Sequence, residues 1–249
     1  MIYWLSMKRI APTISLIIPA YNEELYIASC LEYALKNGKG AVSEIIVVDN
    51  NSKDATADIA KSFENVRVIH EKEPGVTKAR QSGYLASKGE LVAFMDADCR
   101  MPEGWAEKIL KEFEYDPKLA CLSGPYVFYD ASVWQNFLSS LYWRCLGMPG
   151  YFLTGYMALG GNMVLRRNVL EKMGGFNTSI IFYGDDTDTA RRAKAFGKSI
   201  FKLGFVMNSS CRRLKKQGVA STLFSYIINF LSQAFFRRSA GKKGYTEFR

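Results

Sequence analysis

The chain has 249 residues, 48% of them apolar, 14% aromatic and 23% charged, with 33 Lys and Arg against 24 Asp and Glu. That length allows one large or two small domains with an ample core, and the composition excludes disordered, collagen-like and low-complexity chains. Five cysteines without C-x-x-C spacing and a single histidine, His70, argue against a disulfide framework, a zinc knuckle, a serine-hydrolase triad and multi-histidine metal sites, which leaves carboxylates to carry any acid–base or metal chemistry.

Met1–Leu5 is too short for the apolar region of a signal peptide. No uninterrupted apolar window reaches the roughly 18–20 residues that span a bilayer. From Ile14 the pattern becomes regular. ISLII (Ile14–Ile18) is an apolar run of strand length ended by Pro19, and Leu25, Ala28, Leu31 and Leu35 give Glu23–Asn37 helical spacing. Ile45–Val48 reads as a second buried strand, followed by the turn and cap cluster Asp49-Asn50-Asn51-Ser52. A helix over Asp54–Phe63, a strand over Val66–Ile69, a helix over Val76–Ser87 and a strand over Leu91–Met95 complete the alternation. Apolar strands alternating with helices of this length predict an α/β fold: a mostly parallel, Rossmann-like sheet with helices on both faces.

In such sheets ligands bind beyond the carboxyl ends of the strands. Those ends carry Pro19-Ala20-Tyr21-Asn22-Glu23, then Asp49-Asn50-Asn51-Ser52, then Asp96-Ala97-Asp98. No strand is followed by G-x-G-x-x-G, and G-x-x-x-x-G-K-[ST] is missing, so neither the dinucleotide nor the P-loop solution applies. An acidic edge repels a bare phosphate, and a divalent cation resolves the conflict. Asp96 and Asp98, at i and i+2 on a turn, suit Mg²⁺ or Mn²⁺ while leaving positions for diphosphate oxygens and water. The plainer reading of D-x-D is a capped turn into a helix over Glu103–Phe113; the apolar strand before it and the acidic turns beside it favour the metal.

Charge is distributed unevenly. Residues 1–130 carry a net charge of −4 and residues 131–249 a net +13, and from 189 onward 14 basic residues face one acid, Glu247. Residues 137–165 are rich in aromatics, but Arg144 and a Gly/Pro cluster interrupt them. Over 219–236, Ala220, Leu223, Phe224, Ile227, Ile228, Leu231, Ala234 and Phe235 form an amphipathic helical stripe between basic clusters. Such a helix either lies on an anionic membrane or docks on the protein's own core, and the basic flanks on both sides favour the membrane. The tail lacks the interleaved aromatics of single-strand binders, so no nucleic-acid partner is expected.

Five segments resemble, in order and spacing, the family 2 glycosyltransferases of GT-A fold: ISLIIPAYNEE, EIIVVDNNSKDAT, PGVTKARQSGYLASKGELVAFMDADC, GGNMVLRR and GGFNTSIIFYGDDTDTARRAKAFGK. They span most of residues 13–200. The resemblance implies a catalytic domain over 1–205, with a nucleotide-binding half at about 12–100 and an acceptor half at about 101–205. A basic amphipathic extension follows over 206–249. It implies transfer of a sugar from a nucleotide donor, UDP-sugars favoured, to an acceptor hydroxyl with inversion. Tyr21 and Glu23, with Pro19, line the nucleotide pocket in this reading. Asp49, Asn50 and Arg80 meet base, ribose or phosphates, Asp96 and Ala97 meet the donor, and Asp98 with Asp96 holds the metal. Asp186 is the catalytic base, supported by Asp185. Gly160, Gly161 and Asn162 form the sugar-facing or acceptor floor, and Arg212 and Arg213 clamp the diphosphate or a lipid-phosphate acceptor.

The chemistry asks for these types independently. A sugar hydroxyl is a poor nucleophile and needs a carboxylate to take its proton, while the leaving diphosphate needs positive charge. The plainer role of Asp185-Asp186-Thr187-Asp188, capping a helix over Arg191–Phe196, is compatible with that base. Three departures stand out. Asn50 replaces the second of two consecutive acids, which loosens the UDP expectation; Asp185 stands where Glu is frequent; and Q-x-x-R-W of processive synthases is absent, which favours a single-addition enzyme. The expected partners are a nucleotide sugar and a saccharide or lipid-linked acceptor. The expected location is cytoplasmic, peripheral on the inner face of the membrane through residues 219–243. The competing readings are a nucleotidyltransferase and a non-catalytic nucleotide- or membrane-binding scaffold.

Overall fold

The computed structural model describes residues 11–180 and 184–217. The amphipathic stripe over 219–236 and its C-terminal flank lie outside the described residues.

In chain order the elements are β1 (Ile14–Ala20), α1 (Ile27–Asn37), β2 (Val42–Asp49), α2 (Thr56–Lys61), β3 (Val66–His70), α3 (Val76–Ala86) and β4 (Leu91–Phe94). Then come β5 (Cys99–Arg100), α4 (Trp105–Tyr115), β6 (Leu119–Ser123), β7 (Tyr126–Phe128), α5 (Val133–Tyr142), a π-helical segment (Trp143–Gly147) and α6 (Met148–Thr154). The last are β8 (Met163–Arg166), α7 (Arg167–Lys172), α8 (Asp185–Lys194), β9 (Lys198–Phe201), β10 (Met207–Ser209) and α9 (Arg212–Gln217).

Seven strands form the central sheet in the order β3-β2-β1-β4-β8-β6-β9. All neighbouring pairs are parallel except those of β8, which runs against β4 and β6. The reversal brings the start of β8 to the same edge as the ends of β1, β2 and β4. Alternate residues of each strand feed opposite cores. Leu16, Ile18 and Val47 pack with Leu31 of α1 and Trp105, Ile109 and Phe113 of α4. Ile17, Ile46 and Val48 pack with Ala79 of α3 and Ala190 of α8. This two-sided burial is why the strands read as unbroken apolar runs.

Helix α3 begins at Val76 as expected, but α1, α2 and α4 begin later than their spacing predicts. Residues 23–26 form a turn in which Glu23 O accepts from both Tyr26 and Ile27 N–H, so α1 starts at Ile27. In the other direction, α8 starts at Asp185 rather than Arg191. The three acids lie inside its first turn, where they face the positive end of the helix dipole, and Arg191, Arg192 and Lys194 occupy the last turn. A second sheet, β5-β10-β7, hangs from the D-x-D turn. Its strands are two or three residues long, too short to leave a periodic signal. It delivers α9 to the carboxyl edge of the main sheet.

Candidate active site

The loops after β1 and β2 are stitched to each other. Asn22, at φ 49, accepts from Lys53 N–H through its side chain and donates its own N–H to Ser52 Oγ at 2.9 Å. Glu23 N–H reaches Thr56 Oγ1 at 2.6 Å. Asp49, at the end of β2, accepts from Ser52 N–H and lies 3.0 Å from His70 Nδ1. The buried Asn50 side chain donates to the carbonyls of Glu71 and Glu73 and accepts from Gly75 N–H at 2.8 Å. Its polar atoms are therefore committed to bracing the turn into α3, and any contact with a ligand falls to its surroundings. Pro19 and Tyr21 sit half-buried at the same edge.

Two arginines organise the acids. Arg80, on α3 and buried, forms an ion pair with Asp185 and another with Asp96 at 3.2 Å. Burial opposes its charge, but Asp185, then Asp96 and Asp186, more than offset this and hold its pKa above the ordinary value. Arg80 thereby spans the gap between the D-x-D turn and the start of α8. Asp96 Oδ2 lies 3.4 Å from the Tyr126 hydroxyl, which accepts from Gly161 N–H at 2.9 Å.

Arg212, at the start of α9, donates through Nε to Asp98 Oδ2 at 2.9 Å and through Nη2 to Glu23 Oε1 at 2.5 Å, and lies over the Tyr26 ring at 4.4 Å. Arg213 adds a weaker electrostatic pull on Asp98. Even so, burial pushes the Asp98 carboxyl up to about 7, with Glu23 and Asp96 adding to the rise against Arg212. The Asp98 backbone carbonyl accepts from Tyr129 Oη and Ser210 N–H, which fixes the turn to the small sheet.

Asp186 is half-buried at the first turn of α8. It accepts from Thr187 N–H at 2.7 Å and from the Gly160 N–H. Burial first, and then the adjacent Asp185, raise its carboxyl to about 7, with Arg80 pulling the other way. This is a carboxylate poised to exchange a proton near neutrality.

Gly160 and Gly161 are there for close approach. A Cβ on Gly160 falls within 3.0 Å of three Arg80 guanidinium atoms, and one on Gly161 falls within 3.0 Å of the Asp96 carboxylate and the Tyr126 hydroxyl. Asn162 points the other way. Fully buried, it accepts from Trp105 Nε1 at 3.0 Å and donates to the carbonyls of Gly124 and Phe205. Its part is therefore to support the glycine turn from beneath rather than to touch an acceptor. The Ala97 side chain likewise belongs to the core, leaving only its backbone for the edge.

The donor set suits a hard cation. Asp96, Asp98 and Glu23 offer oxygens. The thiols nearest them, Cys30 and Cys99, are pushed well up by burial and by Asp98, so neither presents a thiolate. Among the described residues no cluster of three or more His, Cys, Asp or Glu is set as a ready-made metal cage.

Tyr126, Tyr129 and Thr56 are site residues that sequence patterns miss, and they also miss the bracing role of the Ser52 hydroxyl, although Ser52 itself falls in the turn expected at this edge. Ser52, Tyr126 and Tyr129 lie in a loop or short strand without periodic signal, Thr56 opens the six-residue α2, and each role depends on partners 30 to 33 positions away.

A mostly parallel sheet, one reversed strand and an acidic carboxyl edge facing a helix-borne carboxylate define a domain of the GT-A glycosyltransferase class. Residues 15–174 match the family described as Glycosyl transferase family 2, and the chain belongs to that family. The Escherichia coli K12 protein "Uncharacterized glycosyltransferase YibD" is 25% identical over 224 residues, covering 82% of this chain and 64% of YibD. The chain spans between 30% and 64% of the length of curated relatives such as this one. Among solved structures, mannosyltransferase PcManGT of Pyrobaculum calidifontis, in complex with GDP-Man and Mn²⁺, has a TM-score of 0.63 at 20% identity over 88% of this chain and 65% of its own. Glucosyl-3-phosphoglycerate synthase of Mycobacterium tuberculosis, in complex with Mn²⁺, UDP-glucose and phosphoglyceric acid, has a TM-score of 0.57 at 22% identity, over 90% of this chain and 80% of its own. At these identities the two structures establish the shared fold.

Proposed function

We propose that this protein is an inverting glycosyltransferase that moves a sugar from a nucleoside-diphosphate sugar to a hydroxyl of a saccharide or lipid-linked saccharide. The observation that carries the reading is Asp186: a carboxyl raised to about 7 and linked through Arg80 to the D-x-D turn. A base with that pKa accepts the acceptor's hydroxyl proton as the oxygen attacks the anomeric carbon. Asp185 holds Arg80 in place, and Arg80 presents positive charge between the two carboxylate groups.

Asp98 and Asp96, with Glu23 beside them, would hold a divalent cation, Mn²⁺ or Mg²⁺, and the Mn²⁺ in the two structural relatives supports that choice. An ion held by these carboxylates would supply positive charge against that developing on the leaving diphosphate. Arg212 and Arg213 bring further positive charge to the same side of the site. Tyr21 and Asp49 frame the pocket for the base and ribose. One structural relative holds a GDP-sugar and the other a UDP-sugar, so the fold accommodates either nucleotide. The basic, amphipathic segment over 219–243 would keep the enzyme at the inner face of a cytoplasmic membrane, close to a lipid-linked acceptor in cell-envelope polysaccharide synthesis.

The test is turnover of a panel of UDP-, GDP- and dTDP-sugars with Mn²⁺, with Mg²⁺ and with chelator. Metal-dependent release of one nucleoside diphosphate is the expected result. Release of pyrophosphate from a nucleoside triphosphate and a sugar phosphate would make the protein a nucleotidyltransferase, and failure to bind any nucleotide would make it a scaffold.

A further inference from the structure

Helix α5 is amphipathic in the wrong sense for a helix packed on its own domain. Trp134, Phe137, Leu138 and Leu141, at i, i+3, i+4 and i+7, form one stripe, and all four are exposed by 43% or more. The half-buried positions of the helix include the polar Asn136 and Ser139. Asn136 bonds both N–H and carbonyl of Phe128 and so fastens the helix to β7. Leu146, and Phe152 and Leu153 on α6, are exposed as well, and neither α5 nor α6 buries a single residue. Their apolar side chains therefore do not contribute to a core. An exposed apolar stripe of the kind α5 carries marks a binding face.

Charge and position identify the occupant. Between Asp130 and Arg166 the chain has no acid and one base, Arg144, so nothing on this arm repels an anionic surface. Trp134 and Phe137 stack with centroids 5.4 Å apart, and indole and phenyl rings partition well to the water–lipid boundary. The arm is rooted beside α9. Cys211 N–H and Ser210 Oγ both bond Asp130, and Lys215 reaches the same residue. The start of α9, the last described element, is thus anchored at the foot of α5. The residue before Asp130, Tyr129, bonds the Asp98 carbonyl, so the arm begins at the acidic edge of the site.

We propose that the outward face of α5 and α6 is a membrane-docking surface that inserts its aromatic stripe into the interface of an anionic bilayer and sets the site facing lipid-borne acceptors. This builds on the membrane reading of residues 219–243, and the experiment separates the two.

The full chain is sedimented with vesicles of phosphatidylglycerol and phosphatidylcholine, and with phosphatidylcholine alone. Beside it run a patch variant, Phe137→Ser/Leu141→Ser/Phe152→Ser, and a tail variant, Ile227→Asp/Leu231→Asp. Because the patch residues are exposed, the patch variant should melt like the parent. Its affinity for anionic vesicles should fall at least about tenfold, an effect of about 1.4 kcal/mol. Brominated lipids should quench the parent's tryptophan fluorescence, and Trp134→Phe should remove that quenching. If the tail variant binds like the parent while the patch variant does not, the tail reading falls and the docking face stands. A patch variant that binds vesicles like the parent overturns the docking face. So does a parent dimer that the patch substitutions convert to monomers without effect on vesicle binding, because the face would then meet a second copy. A parent chain that binds no vesicles overturns both readings.

Discussion

Replacing Gly160 by Ala tests the packing that links Arg80 to Asp186. The new methyl would fall within 3.0 Å of three guanidinium atoms, and an arginine tip in solvent would simply swing away. Here the tip is held by Asp185 on one side and Asp96 on the other, with the side chain only 5% exposed. Breaking a buried ion pair by moving one partner costs roughly 3–5 kcal/mol. Shifting the Gly160 backbone instead is an overpacking cost of about 1–3 kcal/mol. The cheaper response wins, so the backbone yields and the loss is about 1–3 kcal/mol. At roughly 2–4 °C per kcal/mol for a chain of this size, Tm falls by about 2–12 °C. The same shift carries the Gly160 N–H off Asp186, which loses a donor that favours its ionised form. The pH at which turnover reaches half its plateau therefore rises. Circular-dichroism melts, with nucleoside diphosphate release followed from about pH 6 to 9, read both effects. A variant that melts within about 1 °C of the parent and keeps its pH profile would refute the reasoning.

Wild-type turnover should itself rise with pH through about 7, because Asp186 keeps its proton below that value and can act as a base only above it; initial rates that are flat from acid pH upward would mean the carboxyl is unperturbed. Asn162→Ala should lower Tm strongly, since it orphans the buried Trp105 Nε1–H and two carbonyls at about 1–3 kcal/mol for each group that finds no water; thermal melts check this, and an unchanged Tm would show that water enters the gap. Arg212→Ala removes the cation that already bridges Asp98 and Glu23. Calorimetry should then show Mn²⁺ binding tightened by about tenfold without nucleotide, and nucleoside diphosphate binding weakened; equal losses in both would mean Arg212 supports the site rather than occupying it.

The first four strands were legible because both faces of the sheet are covered there: Ile45–Val48 and Leu91–Met95 are apolar throughout and Ile14–Ile18 is broken only by Ser15, whereas β6, β8 and β9 were not legible as strands. The acidic edge was legible because the turns follow those runs directly in the chain. The ion pairs were not. Arg80 and Asp185 are 105 positions apart, and Arg212 and Glu23 are 189 apart, so nothing local marks them as partners. Asn50 and Asn162 were expected to meet the donor and to floor the acceptor side, but their side chains turn inward to satisfy backbone groups, an orientation that spacing does not encode. The small sheet escaped because its strands are shorter than one period of alternation can show. The outward stripe of α5 had the opposite fault: its spacing is that of a core helix, and only the fold reveals that it covers no core.

The central claim is that Asp186 removes the acceptor's proton while the D-x-D side of the site binds the donor. Asp186→Asn keeps the size and most contacts of the side chain but cannot take a proton. Titrating donor and Mn²⁺ into this variant, and following sugar transfer to acceptor in membrane extract, separates binding from chemistry. The account predicts donor and metal affinities close to the parent's, with transfer slowed by about 10²–10⁴-fold. Transfer at the parental rate, or donor affinity lost in step with turnover, would contradict it.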